Sequence, residues 1–151
     1  MSVGIGYDSH RFADDRPLIL GGVEIEHERG LEGHSDADVL AHAVIDALLG
    51  AAGGGDIGTL FPDDDERWRG ADSIDLLRTA VGTIGGRIVN IDATLICEAP
   101  RLAAYRAEME RILAEATSAR VSVKATSNEG MGWIGRGEGI ACIAVASVES
   151  E

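Results

Sequence analysis

The segment Gly6 to His10 ends a short apolar stretch with an aspartate and a histidine two positions apart. On an extended chain, residues i and i+2 point to the same face, so the side chains of Asp8 and His10 can converge on one point. A carboxylate oxygen and an imidazole nitrogen are both zinc ligands, and such a pair needs a third ligand. Taken alone the pair is a weak signal, because a hydrogen-bonded pair at a strand end is the commoner outcome.

The best candidate for the third ligand lies in residues 33–42, where His34 and His42 flank the beginning of a predicted helix. Asp38, His42 and Asp46 are spaced i, i+4 and i+8 and form a polar stripe beside an apolar one. We therefore expect a carboxylate one helical turn from His42 to accept its second ring N–H and to fix its tautomer.

Asp8, His10 and His42 would together form a zinc site with an open fourth position, which is typical of a catalytic centre.

Two other segments contain residues that could bind a ligand, but their patterns are less specific. The aspartates at 63–65 could bind a cation, although a charge run is usually a solvated face. Residues 126–139 could be a plain glycine-rich turn or a phosphate site, since glycine lets the backbone approach a ligand closely.

Hydrophobic periodicity predicts the elements that must position these residues. They are a strand over 1–10, a hairpin over 16–26 turning at Gly21-Gly22, a helix capped by Ser35 that stops at the glycines 53–55, a loop over 56–70, a helix over 72–84, a strand over 87–99, a helix with Pro100 in its first turn that continues to Ala116, a strand over 120–126, and a last strand over 139–148 that is buried on both sides. This order predicts an α+β fold: a mostly antiparallel four-stranded sheet with helices packed on one face plus a small hairpin. We expect a single domain over residues 1–151.

Composition narrows the class of protein. The chain has 151 residues, 45% of them apolar and 26% charged, as in ordinary globular proteins. Its net charge of −13 argues against a nucleic-acid partner, because Lys and Arg must neutralise phosphates. No stretch predicts a membrane span or a signal peptide, so we expect a cytoplasmic protein. Cys97 and Cys142 lie in apolar strands and are expected to be buried and free.

Five segments, taken in order, closely resemble the family of 2-C-methyl-D-erythritol 2,4-cyclodiphosphate synthases, enzymes of the non-mevalonate isoprenoid pathway. They read GYDSH, GLEGHSDADVLAHAVIDALLGAAGGGDIGTLFPDDD, GADSIDLLR, NIDATLICEAPRL and VSVKATSNEGMGWIGRGEGIACIAVA, and they cover essentially the whole chain. The resemblance implies a homotrimer with active sites between subunits, one Zn²⁺ per subunit, and Mg²⁺ or Mn²⁺ that joins with the substrate. It implies an intramolecular phosphoryl transfer in 4-diphosphocytidyl-2-C-methyl-D-erythritol 2-phosphate that expels CMP.

The resemblance also implies roles for individual residues. Asp8, His10 and His42 match the zinc ligands, Glu129 matches the ligand of the second metal, and His34 and Ser127 match the groups that stabilise the transition state. The contacts of the methylerythritol phosphate match Ser35, Asp56, Ile57, Gly58, Phe61, Pro62, Asp63, Asp64 and Asp65. The wall of the cytidine and phosphate site matches Cys97, Glu98, Ala99, Pro100, Arg101, Leu102, Ala103, Thr126, Ser127, Asn128 and Glu129.

Two of this chain's departures from the family pattern fall among the predicted site residues. Ser127 and Asn128 stand where threonines are usual, so the hydroxyl donor is kept at Ser127 only. Trp133 stands where phenylalanine is common, near a three-fold axis where the family has a central cavity that can hold an isoprenoid diphosphate beside Arg136 and Glu138. A larger ring could narrow that cavity.

Two other functions fit parts of the pattern. An open zinc ion could instead present hydroxide to a phosphodiester, as in a zinc-dependent phosphohydrolase. A non-catalytic trimer that binds isoprenoids is the third hypothesis, and the retention of every expected site residue argues against it.

Overall fold

The structure is a computed structural model that describes residues 1–150. The strands are β1 (Ser2–Ala13), β2 (Leu18–Leu20), β3 (Val23–Ile25), β4 (Gly30–Leu31), β5 (Arg87–Ile96), β6 (Arg120–Thr126) and β7 (Gly139–Glu149). The α-helices are α1 (Val39–Ala52), α2 (Ile57–Leu60), α3 (Ser73–Val81), α4 (Arg106–Thr117) and α5 (Gly132–Gly135), and 3₁₀ helices cover Glu66–Trp68 and Ala103–Tyr105.

The main sheet is mixed and has five strands in the order β4-β1-β7-β5-β6, beside the separate β2-β3 hairpin. The α+β class and the hairpin are as predicted, but the prediction of a mostly antiparallel four-stranded sheet is wrong. Gly30–Leu31 adds a short edge strand that is too brief to show a period, and β5 and β6 pair in parallel. Parallel pairing is what a strand–helix–strand crossover through α4 permits, and the other pairs in the sheet are antiparallel.

Helix α1 lies directly on β1 and β7, and two glycines of β1 allow this close approach. A Cβ at Gly4 would lie 2.0 Å from the backbone oxygen of Ala47, and one at Gly6 would lie 1.9 Å from that of Ala43. Because side chains alternate along a strand, Asp8 continues the same helix-facing row. The close contact therefore brings the first turns of α1 over the end of β1.

The opposite face of the sheet is apolar and exposed in the single chain. Val3, Ile5 and Tyr7 of β1 are 66%, 70% and 54% exposed, and Ile143 and Val145 of β7 are 39% and 40% exposed. The prediction that the last strand is buried on both sides is therefore wrong for this chain alone. Ile140, Cys142, Ala144 and Ala146 are buried on the face that α1 covers, whereas Ile143 and Val145 on the other face are exposed.

Three local expectations also differ from the structure. Asp38, and not Ser35, caps α1, and its side chain accepts a hydrogen bond from Ala41 N. Pro100 follows a cis peptide bond and precedes the helical segment, which begins at Ala103. The predicted loop over 56–70 contains α2 and a 3₁₀ turn, each opened by an aspartate cap.

The two cysteines are buried and free, as predicted. No helix among residues 1–150 combines the length and the apolar character that crossing a membrane requires.

Candidate metal centre and active site

The structure brings Asp8, His10 and His42 together, as the sequence spacing predicts. Asp8 and His10 project from β1, and His42 projects from the first turn of α1. Asp8 Oδ2 lies 2.9 Å from His10 Nε2 and 3.1 Å from His42 Nδ1, and the two nitrogens lie 3.3 Å apart. Three potential ligand atoms therefore face one point.

This group fits a divalent metal ion. A tetrahedral ion with bonds of about 2.0–2.1 Å has neighbouring ligand atoms about 3.3 Å apart, close to the separations found here. The outward nitrogens are bonded elsewhere: His10 Nδ1 lies 2.8 Å from Glu32 O, and His42 Nε2 lies 2.8 Å from Ser73 Oγ. If those nitrogens carry the ring protons, the inward nitrogens keep lone pairs for a metal.

The electrostatics of the group favour an ionised carboxylate. Burial alone would raise the pKa of Asp8, but the hydrogen bonds and charges of His10 and His42 outweigh it and hold that pKa at about 2. Burial alone would lower the pKa of His10, yet the Asp8 carboxylate raises it above its ordinary value. Asp8 is therefore anionic at neutral pH, which is the form that binds a metal.

A cavity of about 460 Å³ adjoins the metal centre. Of the predicted methylerythritol phosphate contacts, it is lined by Ser35, Ile57, Gly58, Phe61, Pro62, Asp63 and Asp64, and the predicted transition-state group His34 lines it too. Asp56 and Asp65 do not line it. Asp56 caps α2 through Thr59 N at 2.8 Å, and Asp65 caps the 3₁₀ turn and pairs with Arg67.

The wall of this cavity is held by contacts that the sequence does not reveal. His34 Nε2 lies 3.0 Å from Asp65 O, which ties residue 34 to the 56–70 segment. Arg16 donates to the carbonyls of Gly33 and Ser35 at 2.7 Å each. The indole Nε1 of Trp68, whose side chain also lines the cavity, is buried without a hydrogen-bond partner in the structure.

The predicted cytidine wall lies around a second cavity of about 380 Å³. Its lining includes the predicted residues Cys97, Glu98, Pro100, Arg101, Leu102, Ala103, Thr126 and Ser127, but not Ala99, Asn128 or Glu129. Glu98 Oε1 accepts hydrogen bonds from Asn128 N at 2.9 Å and Gly130 N at 3.2 Å, so it shapes the loop that carries Glu129. This cavity shares no lining residue with the metal cavity.

Trp133 and Arg136 line neither the metal cavity nor the cytidine cavity. They line a third cavity of about 820 Å³, together with Arg11 and Arg29. Arg136 Nε donates to Glu138 Oε2 at 2.7 Å. His10 lines this cavity as well as the metal cavity, so the two adjoin at β1.

The prediction that a carboxylate one helical turn away accepts the second ring N–H of His42 is wrong. Asp38 accepts from the backbone N–H groups of Gly21, Gly22 and Ala41, and burial raises its pKa to about 6. Asp46 accepts from Ile57 N at 2.8 Å and so anchors α2. His42 Nε2 instead lies 2.8 Å from Ser73 Oγ and 3.1 Å from Ser35 Oγ, and no metal-ligand spacing singles out Ser73.

The fold and the site define an α+β protein with an Asp-His-His group able to hold a metal ion, beside a cavity. The YgbB family profile matches residues 1–149, and the chain belongs to this family.

Two curated relatives are named 2-C-methyl-D-erythritol 2,4-cyclodiphosphate synthase. The protein from Symbiobacterium thermophilum is 57% identical over 154 residues, covering 98% of each chain. That from Rubrobacter xylanophilus is 58% identical over 155 residues, covering 97% of this chain and 94% of its own. A solved structure of 2C-methyl-D-erythritol-2,4-cyclodiphosphate synthase in a CDP-bound form is 35% identical, with a TM-score of 0.87 over 97% of this chain and 99% of its own. The resemblance inferred from the motifs is confirmed.

Proposed function

We propose that this chain cyclises 4-diphosphocytidyl-2-C-methyl-D-erythritol 2-phosphate to 2-C-methyl-D-erythritol 2,4-cyclodiphosphate in the non-mevalonate isoprenoid pathway. An oxygen of the 2-phosphate attacks the β-phosphorus of the diphosphate, and the bond from that phosphorus to the bridging oxygen breaks, releasing CMP. The proposal rests on the convergence of Asp8, His10 and His42 in a chain whose relatives, 57% and 58% identical, are named as this synthase.

The metal assignments belong to the proposal. Asp8, His10 and His42 would hold one Zn²⁺ per subunit, because two imidazoles and one carboxylate form a typical catalytic zinc set. Glu129 is exposed on the loop that Glu98 shapes, where it would hold Mg²⁺ or Mn²⁺ together with the diphosphate. When bound, such ions polarise phosphoryl oxygens and neutralise the charge that builds up on the leaving phosphate.

The side chains would mainly position the substrate. The nucleophile is already an oxyanion, so no strong general base is needed, and in-line placement is the main requirement. His34 Nε2 donates to Asp65 O at 3.0 Å, and the His34 ring lines the metal cavity, where it would contact an equatorial phosphoryl oxygen. Ser127 is exposed at the mouth of the second cavity and would donate its hydroxyl in the same way.

The substrate pocket would be completed by a second subunit. The metal cavity and the cytidine cavity share no residue within one chain, yet the substrate must reach both. The exposed apolar face formed by Val3, Ile5, Tyr7, Ile143 and Val145 is the kind of surface that oligomerisation buries. A homotrimer with active sites between subunits accounts for both features.

Other assignments follow from the same proposal. In a trimer, Trp133 and Arg136 would face a central cavity able to hold an isoprenoid diphosphate, with arginines to meet the diphosphate. The small-molecule substrate is a cytidine diphosphate derivative. With a net charge of −13 we expect no nucleic-acid partner, and we assign the protein to the cytoplasm without membrane attachment.

The test is a phosphorus NMR spectrum of the purified protein with 4-diphosphocytidyl-2-C-methyl-D-erythritol 2-phosphate, zinc and magnesium. Two mutually coupled cyclic diphosphate signals together with CMP are expected. His42→Ala, which removes one ligand from the group, serves as the control and should purify folded but lose both zinc and activity.

Two outcomes would overturn the proposal. Linear phosphates that incorporate oxygen from labelled water would identify a zinc-dependent phosphohydrolase. Unchanged substrate, with stoichiometric zinc and bound CDP, would identify a binding protein without this activity. Stoichiometric zinc in the His42→Ala variant would refute the ligand assignment itself.

A further inference from the structure

The outward nitrogen of His42 begins a chain of buried hydrogen bonds. His42 Nε2 lies 2.8 Å from Ser73 Oγ, and Ser73 is fully buried. The Ser73 hydroxyl in turn donates a hydrogen bond to Asp36 Oδ1. The chain thus links a candidate metal ligand to a carboxylate that does not face the metal.

The direction of this chain is fixed by Asp36. An ionised carboxylate only accepts, and the Asp36 carboxylate also accepts from Ser73 N at 3.0 Å and Asp38 N at 3.1 Å. The hydroxyl proton of Ser73 is therefore committed to Asp36, and its lone pairs face His42. His42 must then carry its proton on Nε2, which leaves the Nδ1 lone pair towards Asp8 and His10.

Ser35 provides an internal comparison. Its hydroxyl lies 3.1 Å from the same nitrogen of His42 and accepts from Ala37 N at 3.2 Å. Within the described part of the chain, no carboxylate takes the Ser35 hydroxyl proton. Its orientation is therefore not fixed as that of Ser73 is.

The backbone holds the donor and the carboxylate in place. Ser73 is the first residue of α3, which Asp72 caps through Ile74 N at 2.8 Å. Asp36 N donates to Ala71 O at 3.1 Å, which joins the segment before α3 to the segment before α1. The hydroxyl thus approaches the imidazole from a rigid helix terminus.

We propose that Ser73 and Asp36 are positioning residues of the metal centre, which hold His42 in the tautomer and orientation that bind the metal through Nδ1. This inference rests on the proposed zinc site and extends it beyond the three ligands. Partners of this kind contribute about 10–100-fold to metal affinity.

The experiment measures zinc affinity by competition with a chromophoric chelator in wild type, Ser73→Ala, Asp36→Ala and the double variant. Each single variant should bind zinc about 10–100-fold more weakly. Because the two residues act through one chain, the double variant should be no weaker than Ser73→Ala alone. Ser35→Ala should lose less than Ser73→Ala.

Two further readouts separate positioning from stability. In the zinc-loaded protein, the His42 Hε2 proton should be visible by NMR and protected from exchange, and Ser73→Ala should shift or lose its signal.

Thr117→Ala is the matched control, because it removes another buried hydroxyl from α4, one that is bonded to Leu113 O at 2.7 Å. It should cost stability while leaving zinc affinity unchanged. If Ser73→Ala does not fold, Ser73→Cys keeps the volume, replaces the hydroxyl by a poor acceptor and should still weaken zinc binding.

The outcomes are distinguishable. Wild-type zinc affinity in Ser73→Ala or Ser73→Cys overturns this inference while leaving the zinc site intact. Additive losses in the double variant overturn the single chain of bonds. A wild-type protein that binds no zinc overturns the proposed site and this inference with it.

Discussion

Gly6 controls how closely α1 approaches β1, and adding one methyl group there should disable the metal centre. A Cβ on Gly6 would lie 1.9 Å from Ala43 O, whereas ordinary contact begins at 3.4 Å, so the helix must retreat by the difference of about 1.5 Å. The obstacle is backbone, and no side-chain rotation relieves it. His42 precedes Ala43 and would move away from Asp8 Oδ2, now 3.1 Å from its Nδ1.

The expected size of the effect follows from this displacement. Ligand distances in metal sites tolerate only about 0.2 Å, so a retreat several times larger removes one ligand. We expect Gly6→Ala to weaken zinc binding by about 100-fold or more, beyond the range of outer-shell changes. Overpacking of this kind should also lower the free energy of unfolding by about 3 kcal/mol.

Two other glycines of the same contact serve as controls. A Cβ on Gly4 would lie 2.0 Å from Ala47 O, one helical turn further from His42, so Gly4→Ala should lose similar stability but less zinc affinity. A Cβ on Gly50 would meet Gly4 Cα at an ordinary 3.8 Å. Gly50→Ala should therefore keep zinc affinity and gain up to about 1 kcal/mol through helix propensity.

The assay combines zinc competition with urea unfolding at one fixed protein concentration, because assembly makes stability depend on concentration. A folded Gly6→Ala protein with wild-type zinc affinity would refute the reasoning. Equal affinity losses in the Gly4→Ala and Gly6→Ala proteins would show that loss of stability, and not displacement of His42, causes the effect.

Three further predictions follow from the same contacts. Asp38→Ala leaves the N–H groups of Gly21, Gly22 and Ala41 without their acceptor and should lower the free energy of unfolding by about 3 kcal/mol in urea, whereas Asp38→Asn keeps one acceptor oxygen and should lose less; equal stability of Asp38→Ala and wild type would contradict this. Ile5→Glu places a charge on the exposed apolar face and should convert the proposed trimer to monomers in light scattering, while the exposed Ala107→Glu on α4 leaves the mass unchanged; a trimeric Ile5→Glu protein would exclude this face from the interface. Ser127→Ala should lower kcat about 10²–10³-fold, and a normal kcat would remove Ser127 from the reaction.

The convergence of the three candidate metal ligands could be predicted from sequence because their placement is local. The i, i+2 spacing of Asp8 and His10 fixes a shared strand face, and His42 lies at the start of a strongly patterned helix. The close approach of α1 to β1 depends on the glycine at residue 6. A single glycine has no sequence periodicity, so this contact could not be predicted from the pattern.

The remaining features depend on tertiary contacts. Asp38 lies one turn before His42 in the sequence, but it is the N-cap of α1, and its carboxylate accepts from the N–H groups of the β2-β3 turn and of Ala41 rather than from His42. Ser73 approaches His42 only because α3 begins there, which no local pattern shows. The parallel pairing of β5 with β6 was likewise undetermined, because a strand–helix–strand order does not specify which strands become neighbours.

The charges of the two proposed substrate cavities explain why the proposed chemistry needs metal ions. The described residues that line the metal cavity include Asp8, Asp63 and Asp64 but no lysine or arginine. Cationic side chains lie instead around the cytidine cavity, at Arg101, Arg106 and Lys124. A phosphate drawn into the metal cavity would therefore meet only carboxylates and neutral groups unless metal ions, or a protonated histidine, offset them. Because the Asp8 pKa is about 2, its carboxylate stays ionised at neutral pH, and the same charge that would repel a phosphate is what holds the ion that attracts it.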